Sequence, residues 1–235
     1  MISVCLISYN GEKFIHHQIE SILTQLGDND ELVISDDGST DKTIDIIKSF
    51  SDSRIKLLHA NFNSPTFNME NALKHCRGDY IFMSDQDDIW VQNKVLVSLN
   101  YLHRYDYVSS DCFLIDERDN TIGKTRFIEG LGISKNRWKS LFKPTPYQGS
   151  CSAFKRAVLD KSLPFPSRLQ SHDRWIGFIA SFAFKIKFLP DRLIYYRRHG
   201  ENFSTSSTGQ SQNSLITKVK IRVYYIVMLL KRLVF

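Results

Sequence analysis

The sequence lacks the residue patterns that cross-link a chain or anchor it in a membrane. Its four cysteines are spread over 235 residues without a Cys-x-x-Cys pair, so neither a zinc site nor a disulfide framework is predicted. The first apolar run ends at Ser8 with no basic segment before it, which is too short for a signal peptide or a membrane span. These absences favour a reducing compartment, and we expect the protein to lie in the cytoplasm.

Outside one segment the sequence also has almost no excess of positive charge. The formal net charge is +6, but Leu215–Phe235 contains five Lys or Arg residues and no acidic residue. The rest of the chain is therefore close to neutral and offers no basic stripe, so nucleic acid is not expected as a partner. With 42% hydrophobic and 24% charged residues, the composition is that of a folded globular protein.

The sequence does contain an alternation of strands and helices. Short apolar runs rich in β-branched residues predict four early strands, at Ile2–Ser8, Glu31–Ser35, Arg54–Leu58 and Tyr80–Ser84. Between them, apolar residues recur at helical spacing, and a later helix is predicted from Ser171 to Phe184. Such alternation implies right-handed βαβ crossovers and a mostly parallel, Rossmann-like central sheet with helices on both faces. The predicted fold class is α/β.

Two acidic loops follow predicted strands. In "DDGST", Asp36 and Asp37 come directly after the second strand, where an acidic side chain can accept hydrogen bonds from a ribose or a nucleobase. The same residues are typical of an Asx turn with a helix cap, so this motif alone leaves both interpretations open. Ligands of open α/β sheets bind at the carboxyl ends of strands. We therefore expect the acidic loops to gather at one edge of the sheet.

The second acidic loop, "DQDD", is harder to explain as a turn. Its carboxylates, Asp85, Asp87 and Asp88, repel one another, and an unpaired buried charge is costly, so a cation that offsets them is expected. Oxygen ligands without nearby cysteine favour Mg²⁺ or Mn²⁺, and Mg²⁺ usually combines one or two carboxylates with phosphate oxygens and water. A divalent ion that holds a diphosphate fits this pattern. A solvated acidic loop is the alternative.

Five motifs, taken in order, resemble glycosyltransferase family 2. They are "VCLISYNGEKFIHHQIESILTQ", "ELVISDDGSTDKT", "GDYIFMSDQDDIW", "SHDRW" and "YRRHGEN". The resemblance implies the GT-A fold and an inverting transferase that uses a UDP- or dTDP-sugar, with dTDP-rhamnose among the candidates. The "DQDDIW" version is especially similar to bacterial enzymes of rhamnosyl and related transfer in cell-surface polysaccharide synthesis. The implied acceptor is a hydroxyl of a growing, lipid-linked glycan.

The resemblance also implies roles for individual residues at the nucleotide. Asp37 would contact the nucleobase, with Tyr9 and Glu12 of the first loop beside the nucleotide. Asp85 would face the ribose, and Asp87 would bind the metal, Mn²⁺ or Mg²⁺. The loop after the third strand, where relatives often have glycine, reads "NFNSPTFN" here.

The remaining motifs would complete the same site. Asp88 would support the acidic loop through hydrogen bonds. In "YRRHGEN", His199 would approach the diphosphate or the metal, and Arg197 or Arg198 would help to neutralise the leaving group. For either arginine, the alternative is an ordinary surface charge.

An inverting transfer needs a base that takes the proton of the acceptor hydroxyl as it attacks the anomeric carbon. The resemblance places this base at the start of a later helix, where "SHDRW" offers Asp173 after the capping residue Ser171. A helix N-terminus favours the ionised carboxylate, which is the form that accepts a proton. His172 is the competing base, because its ordinary pKa lies near neutrality. A first-turn helix residue without a catalytic role is the remaining alternative.

Three segments are expected: a catalytic domain over residues 1–203, a polar linker over 204–214 and a basic amphipathic segment over 215–235. No uncharged run in the last segment is long enough to cross a bilayer. A helix in the membrane interface fits its pattern, with Lys and Arg attracted to anionic lipids on the inner face of the cell membrane. The alternative is a terminal helix packed on the catalytic domain or on another subunit.

Two other functions stay open from the sequence. One is a glycoside hydrolase that uses two of the carboxylates, which would respond to glycan but never to a nucleotide. The other is a non-catalytic, transferase-like partner at the membrane, which would bind a nucleotide without turnover.

Overall fold

The computed structural model of the protein describes residues 1–122, 147–198 and 215–234. Its strands are β1 (Ile2–Ser8), β2 (Glu31–Asp36), β3 (Ile55–His59), β4 (Tyr80–Asp85), β5 (Ile89–Trp90), β6 (Tyr107–Ile115), β7 (Ser152–Lys155) and β8 (Ile186–Arg197). Its helices are α1 (Ile15–Leu23), α2 (Thr43–Ser49), α3 (Pro65–His75), α4 (Lys94–Leu102), α5 (Arg156–Ser162), α6 (His172–Ala183) and α7 (Leu215–Val234). A short 3₁₀ turn, Gly149–Cys151, leads into β7.

All eight strands belong to one sheet, in the order β3-β2-β1-β4-β7-β6-β8-β5. The first four are mutually parallel, which is the arrangement that the βα alternation predicts. Beyond β4 the sheet is mixed: β7 runs antiparallel to β4 and β6, β8 runs parallel to β6, and β5 is antiparallel to β8. The predicted α/β class with a mostly parallel central sheet is confirmed. The antiparallel strand β7 is what brings Gly149 and Ser150 beside the end of β4.

Helices cover both faces of the sheet because successive strand residues point to opposite sides. On β1, Val4 and Leu6 pack in one core cluster with Ile19 of α1, whereas Cys5 between them packs in the other cluster with Leu73 of α3. All five side chains are buried. Two apolar layers therefore hold the sheet rigid, and its loops at the carboxyl ends of the strands are left to carry polar residues.

The C-terminal helix α7 packs on the body of the protein. Tyr225 and Leu229 are buried in the same cluster as α6. One face of α7 therefore packs on the catalytic domain, which is the alternative to a helix in the membrane interface. Within the described ranges, no helix has the combined length and apolar character needed to cross a bilayer. The predicted domain boundary at residue 203 and the predicted linker over 204–214 lie outside the described residues.

Candidate active site

The loops after β1 and β2 are tied together by reciprocal hydrogen bonds. The Glu12 backbone N–H donates to Asp41 Oδ2 (3.0 Å), and the Lys42 backbone N–H donates to Glu12 Oε2 (3.0 Å). Two residues before Lys42 and Glu12 in their respective loops, the Thr40 backbone N–H donates to Asn10 Oδ1 (2.9 Å). Glu12 thus joins the two loops that the resemblance places beside the nucleotide. Its direct contact with a nucleotide stays a prediction.

Asp36 forms the Asx turn that the "DDGST" pattern allowed. Its buried carboxylate accepts hydrogen bonds from Ser8 Oγ (2.7 Å), the Gly38 backbone N–H (3.1 Å), and the Ser39 backbone N–H (2.8 Å) and Oγ (2.6 Å). Gly38 has φ +85°, a conformation that glycine adopts without the steric cost other residues meet. The structure therefore shows Asp36 shaping the loop; its predicted contact with a nucleotide stays a prediction.

Asp37 holds the next loop along the sheet edge. Its two carboxylate oxygens accept from the Phe62 backbone N–H (2.5 Å) and the Ser64 backbone N–H (2.9 Å). These donors belong to "NFNSPTFN", the loop in which relatives often have glycine. Ser64 is also the N-cap of α3. Asp37 is thus positioned where the loops after β1, β2 and β3 meet, and its role at the nucleobase stays a prediction.

Tyr9 is held by a residue that the sequence interpretation missed, Gln86. The Gln86 amide accepts from the Tyr9 backbone N–H (2.8 Å) and donates to the Tyr9 carbonyl (2.9 Å). The Tyr9 side chain is 55% exposed, so its ring is available at the sheet edge. The only signal for Gln86 in the sequence was its position between the aspartates of "DQDD".

Asp85 lies at the end of β4 and contacts the 3₁₀ turn before β7. Its Oδ2 accepts a hydrogen bond from Ser150 Oγ (2.7 Å). Burial, followed by the charges of Asp87 and Asp173, raises the pKa of Asp85 to about 6. The residue before Ser150 lies against the start of α6, since a Cβ on Gly149 would be 2.5 Å from Asp173 Oδ1. The same 3₁₀ turn therefore contacts the "DQDD" loop and the start of α6, which are far apart in the sequence.

Asp88 is fully buried, so a simply solvated loop does not describe "DQDD". Its Oδ1 accepts from the Arg197 backbone N–H (3.1 Å). Burial, and then the charges of Asp87 and Asp85, raise the pKa of Asp88 well above its usual range. Its position behind the loop is the one expected of a supporting residue.

Arg197 approaches the same loop from inside the protein. Its side chain is buried, with Nε donating to the Asp87 carbonyl (2.8 Å) and Nη1 to the Asp116 carbonyl (2.9 Å). Nη1 also pairs with Asp119 Oδ1 (2.6 Å), and the guanidinium lies 4.6 Å from the centre of the Phe14 ring. These partners fix the backbone of Asp87. The predicted contact of Arg197 with the leaving group stays a prediction, and this geometry favours support of the loop instead.

The next two residues of "YRRHGEN" are less informative. The Arg198 backbone N–H donates to the Ile115 carbonyl (2.8 Å), and the Arg198 Nε is buried without a hydrogen-bond partner in the described part of the chain. His199 lies outside the described residues. The predicted roles of Arg198 at the leaving group and of His199 at the metal therefore stay predictions.

His172 and Asp173 form a hydrogen-bonded pair at the N-terminus of α6, which Ser171 caps. His172 Nε2 lies 2.7 Å from Asp173 Oδ1, and the side chains are 10% and 25% exposed. Burial opposes charge on His172, but the carboxylates of Asp173 and Asp85 outweigh it and raise the pKa of His172 above its usual value. The imidazole therefore orients Asp173, whose partial exposure leaves it open to an acceptor.

Gly149 allows the 3₁₀ turn to approach this pair. A Cβ at this position would lie 2.5 Å from Asp173 Oδ1 and 3.4 Å from His172 Nε2, so any side chain would displace the carboxylate. Neither Gly149 nor Ser150 was identified from the sequence, because "GSC" has no pattern of its own. Their importance follows only from the pairing of β7 with β4.

Lys94 provides a buried cation beneath the acidic loop. Its Nζ donates to the Ser150 carbonyl and lies 4.5 Å from the centre of the Trp90 ring. Burial lowers the pKa of Lys94 to about 8, against the opposing effects of nearby groups that include Asp88 and Asp85. The side chain thus remains charged at neutral pH. It holds the turn that carries Ser150 against Asp85.

We expect Lys94→Met to cost about 2–5 kcal/mol of unfolding free energy, because it leaves a buried carbonyl without its donor and buried carboxylates without a nearby cation. A urea titration monitored by circular dichroism measures this loss. The matched control is Lys48→Met, at an exposed position on α2, which should leave the midpoint unchanged. A loss below about 1 kcal/mol for Lys94→Met would show that the cation does not hold the turn.

The sheet, with carboxylates collected at the ends of β2 and β4 and a carboxylate–imidazole pair beside them, defines a GT-A type glycosyltransferase fold. The solved structures agree. TarS from S. aureus, in complex with UDP-GlcNAc, aligns with a TM-score of 0.72 at 21% identity, over 96% of this chain and 66% of that one. The mannosyltransferase PcManGT from Pyrobaculum calidifontis, in complex with GDP-Man and Mn²⁺, aligns with a TM-score of 0.65 at 17% identity, over 97% and 69% of the two chains.

The family model "Glycosyl transferase family 2" matches residues 3–163. An uncharacterized glycosyltransferase of Nostoc sp. is 31% identical over 228 residues, which cover 88% of this chain and 68% of the relative. The chain therefore belongs to glycosyltransferase family 2. An Escherichia coli enzyme named UDP-Glc:alpha-D-GlcNAc-diphosphoundecaprenol beta-1,3-glucosyltransferase WfgD is 39% identical over 103 residues, or 43% of this chain and 41% of the enzyme. The match thus spans about two fifths of the length of that relative.

Proposed function

We propose that this family 2 glycosyltransferase is an inverting, metal-dependent enzyme that moves a sugar from a UDP- or dTDP-sugar to a hydroxyl of a lipid-linked cell-surface glycan. The observation that carries the proposal is that one 3₁₀ turn contacts both Asp85 and Asp173: Ser150 Oγ donates to Asp85, and Gly149 lies against the Asp173 carboxylate. One carboxylate belongs to the loop predicted to hold the nucleotide diphosphate, and the other is a partly exposed base candidate at a helix N-terminus. An inverting transfer needs these two functions side by side.

In this arrangement the acceptor hydroxyl gives its proton to Asp173 as its oxygen attacks the anomeric carbon. His172 keeps the carboxylate oriented through the 2.7 Å contact with Asp173 Oδ1. Asp85, which accepts a hydrogen bond from Ser150, lies on the donor side. The exposed ring of Tyr9 lies at the same edge of the sheet. The bond from the anomeric carbon to the diphosphate breaks on the face opposite the attack, which inverts the configuration.

The residues at the end of β4 fit a divalent cation. Asp85 and Asp88 have raised pKa values, in each case through burial and then through the charge of Asp87, so the carboxylates of this loop lie close enough to one another to repel. Within the described ranges, no three His, Cys, Asp or Glu side chains form a ready-made metal site. Asp87, with Asp85 beside it and diphosphate oxygens from the donor, would hold Mn²⁺ or Mg²⁺. The ion would supply charge stabilisation for the departing diphosphate.

The names of the relatives support the donor and acceptor classes in this proposal. The E. coli enzyme is named for UDP-Glc and for an acceptor on diphosphoundecaprenol, and TarS was solved with UDP-GlcNAc. These compounds, together with dTDP-rhamnose, define the donors to test first. We also propose that the protein works on the cytoplasmic side of the membrane, with peripheral contact through α7, since a lipid-linked acceptor is presented there.

The test is a screen of the purified protein against UDP-, dTDP- and GDP-sugars, with released nucleoside diphosphate as the readout and with Mn²⁺, Mg²⁺ or EDTA added. We expect slow hydrolysis of one UDP- or dTDP-sugar that stops in EDTA. Thermal stabilisation by glycans, but never by UDP, dTDP or Mn²⁺, would favour a glycoside hydrolase instead. Nucleotide binding without any release, with lipid-linked acceptor present, would favour a non-catalytic partner.

A further inference from the structure

Helix α7 has two faces with different surroundings, and the inner one is committed to the body of the protein. The Tyr225 hydroxyl accepts from the Ser171 backbone N–H (3.1 Å) and donates to the Ser171 carbonyl (3.2 Å). Near the end of the helix, the Arg232 guanidinium donates to the carbonyls of Leu163 and Pro164. This face ties the helix to the residue that caps α6, immediately before His172 and Asp173.

The outer face of α7 carries an apolar stripe that is exposed beside the described residues of the body. We define the outer stripe as five exposed residues spaced four, four, three and four positions apart, which places them along one side of a helix: Val219, Val223, Val227, Leu230 and Val234. Half of the large apolar residues exposed in the described part of the chain lie in this stripe. Such a concentration on one helix marks a surface that contacts an apolar phase or a partner.

The charges around the outer stripe help to distinguish between an apolar phase and a protein partner as the surface that the stripe contacts. α7 contains five Lys or Arg residues and no acidic residue, and Lys220 and Lys231 are exposed beside the stripe. If a second copy of the protein bound through the same stripe, the positively charged residues of the two helices would lie near one another and repel. An anionic lipid surface complements the cations and also receives the apolar side chains.

A cleft next to the end of α7 has the same chemistry. It measures about 590 Å³ and is lined by apolar Phe165 and Met228 and by Lys161, Lys231 and Arg232, with Asp160 as the one acidic residue among those lining it. A cleft lined by both apolar and cationic side chains suits a phospholipid, whose acyl chain and phosphate have these two chemistries. The cleft therefore extends the basic, apolar surface beyond the helix.

We propose that the outer stripe of α7 docks into the interface of an anionic bilayer, with the helix lying along the surface and its inner face still bound to the catalytic domain. This proposal rests on the proposed function in one respect, since a lipid-linked acceptor gives such docking its purpose. Through Tyr225 and Ser171, the docked helix holds the start of α6 at a set distance from the bilayer. The hydrogen-bonded residues His172 and Asp173 would then lie within reach of an acceptor that cannot leave the membrane.

The experiment is co-sedimentation of the full chain with vesicles of phosphatidylcholine alone or mixed with phosphatidylglycerol. The wild-type protein should bind the anionic vesicles and only weakly the neutral ones. The triple variant Val219→Ser, Val223→Ser, Val227→Ser should lower the partition coefficient by at least about tenfold, because it removes apolar groups that the interface would receive. The control is Leu96→Ser, which changes an apolar residue of α4 that is more exposed than the three valines and should bind as the wild type does.

The proposal would be overturned if the wild type did not bind anionic vesicles, or if the triple variant bound them equally well. It would also be overturned if light scattering showed that the wild type is a dimer and the triple variant a monomer. Donor hydrolysis in vesicle-free buffer separates this test from that of the proposed function. The triple variant should retain the wild-type rate there, since the stripe lies away from the site. If neither the wild type nor the triple variant hydrolysed a donor, but the wild type still bound anionic vesicles, the result would count against the transferase proposal alone.

Discussion

Asp173→Asn is expected to lower turnover by about 10² to 10⁴-fold, the usual contribution of a positioned general base, and to leave donor affinity unchanged. Asparagine keeps the shape of the side chain and an oxygen for His172, so the helix N-terminus should stay in place. It has no basic carboxylate to accept the proton of the acceptor hydroxyl. Released nucleoside diphosphate with acceptor present gives the rate, and titration calorimetry with UDP gives the affinity.

Two variants make this result specific. Asp45→Asn removes an exposed carboxylate from α2 and should leave both quantities unchanged. His172→Gln should reduce the rate less than Asp173→Asn does, because it removes an orienting contact and leaves the carboxylate. Near-normal turnover in Asp173→Asn, with a large loss in His172→Gln, would move the base to the imidazole.

Asp87→Asn is expected to remove the Mn²⁺-dependent part of UDP affinity, a loss of more than about tenfold. The physical reason is the loss of a charged oxygen ligand from the proposed metal site. The fold should persist, since Arg197 Nε binds the backbone carbonyl of Asp87, which the substitution leaves in place. Calorimetry with UDP in Mn²⁺ and in EDTA measures the effect, and circular dichroism checks the fold.

For this second variant the control is Asp88→Asn. Its side chain accepts from the Arg197 backbone, a bond that an asparagine oxygen can also accept, so the Mn²⁺ dependence should remain. If Asp87→Asn binds UDP as tightly as the wild type in both Mn²⁺ and EDTA, Asp87 is not a metal ligand. The divalent ion would then have to be held by other residues.

Much of the first half of the fold was predictable from the sequence. The strands β1 to β4 are short apolar runs separated by helical spacing, and local pattern alone defines such elements. The mixed half was harder, because β7 is only four residues long and runs antiparallel between β4 and β6. Nothing in its own residues indicates which strand it pairs with. The same pairing brings Gly149 and Ser150 to the site, which explains why both were missed.

The candidate site shows a similar division. The motifs identified Asp85, Asp173 and His172, and the structure brings these three together. The motifs also predict that Asp36 and Arg197 face the donor, which stays a prediction. The structure adds that Asp36 accepts hydrogen bonds from loop donors and that Arg197 is buried against carbonyl groups. Whether a charged side chain is free or already bound depends on neighbours that are distant in the sequence, and no local pattern contains them.

By itself, the sequence determined that this protein has a parallel β/α unit with acidic loops at the carboxyl ends of its strands, since both follow from the spacing of nearby residues. Only the tertiary structure decided which carboxylates accept hydrogen bonds from loop residues, and which face of α7 is bound and which is exposed. The reason is physical: burial, hydrogen bonding and the pKa shifts that follow from them are set by groups that meet only when the chain folds.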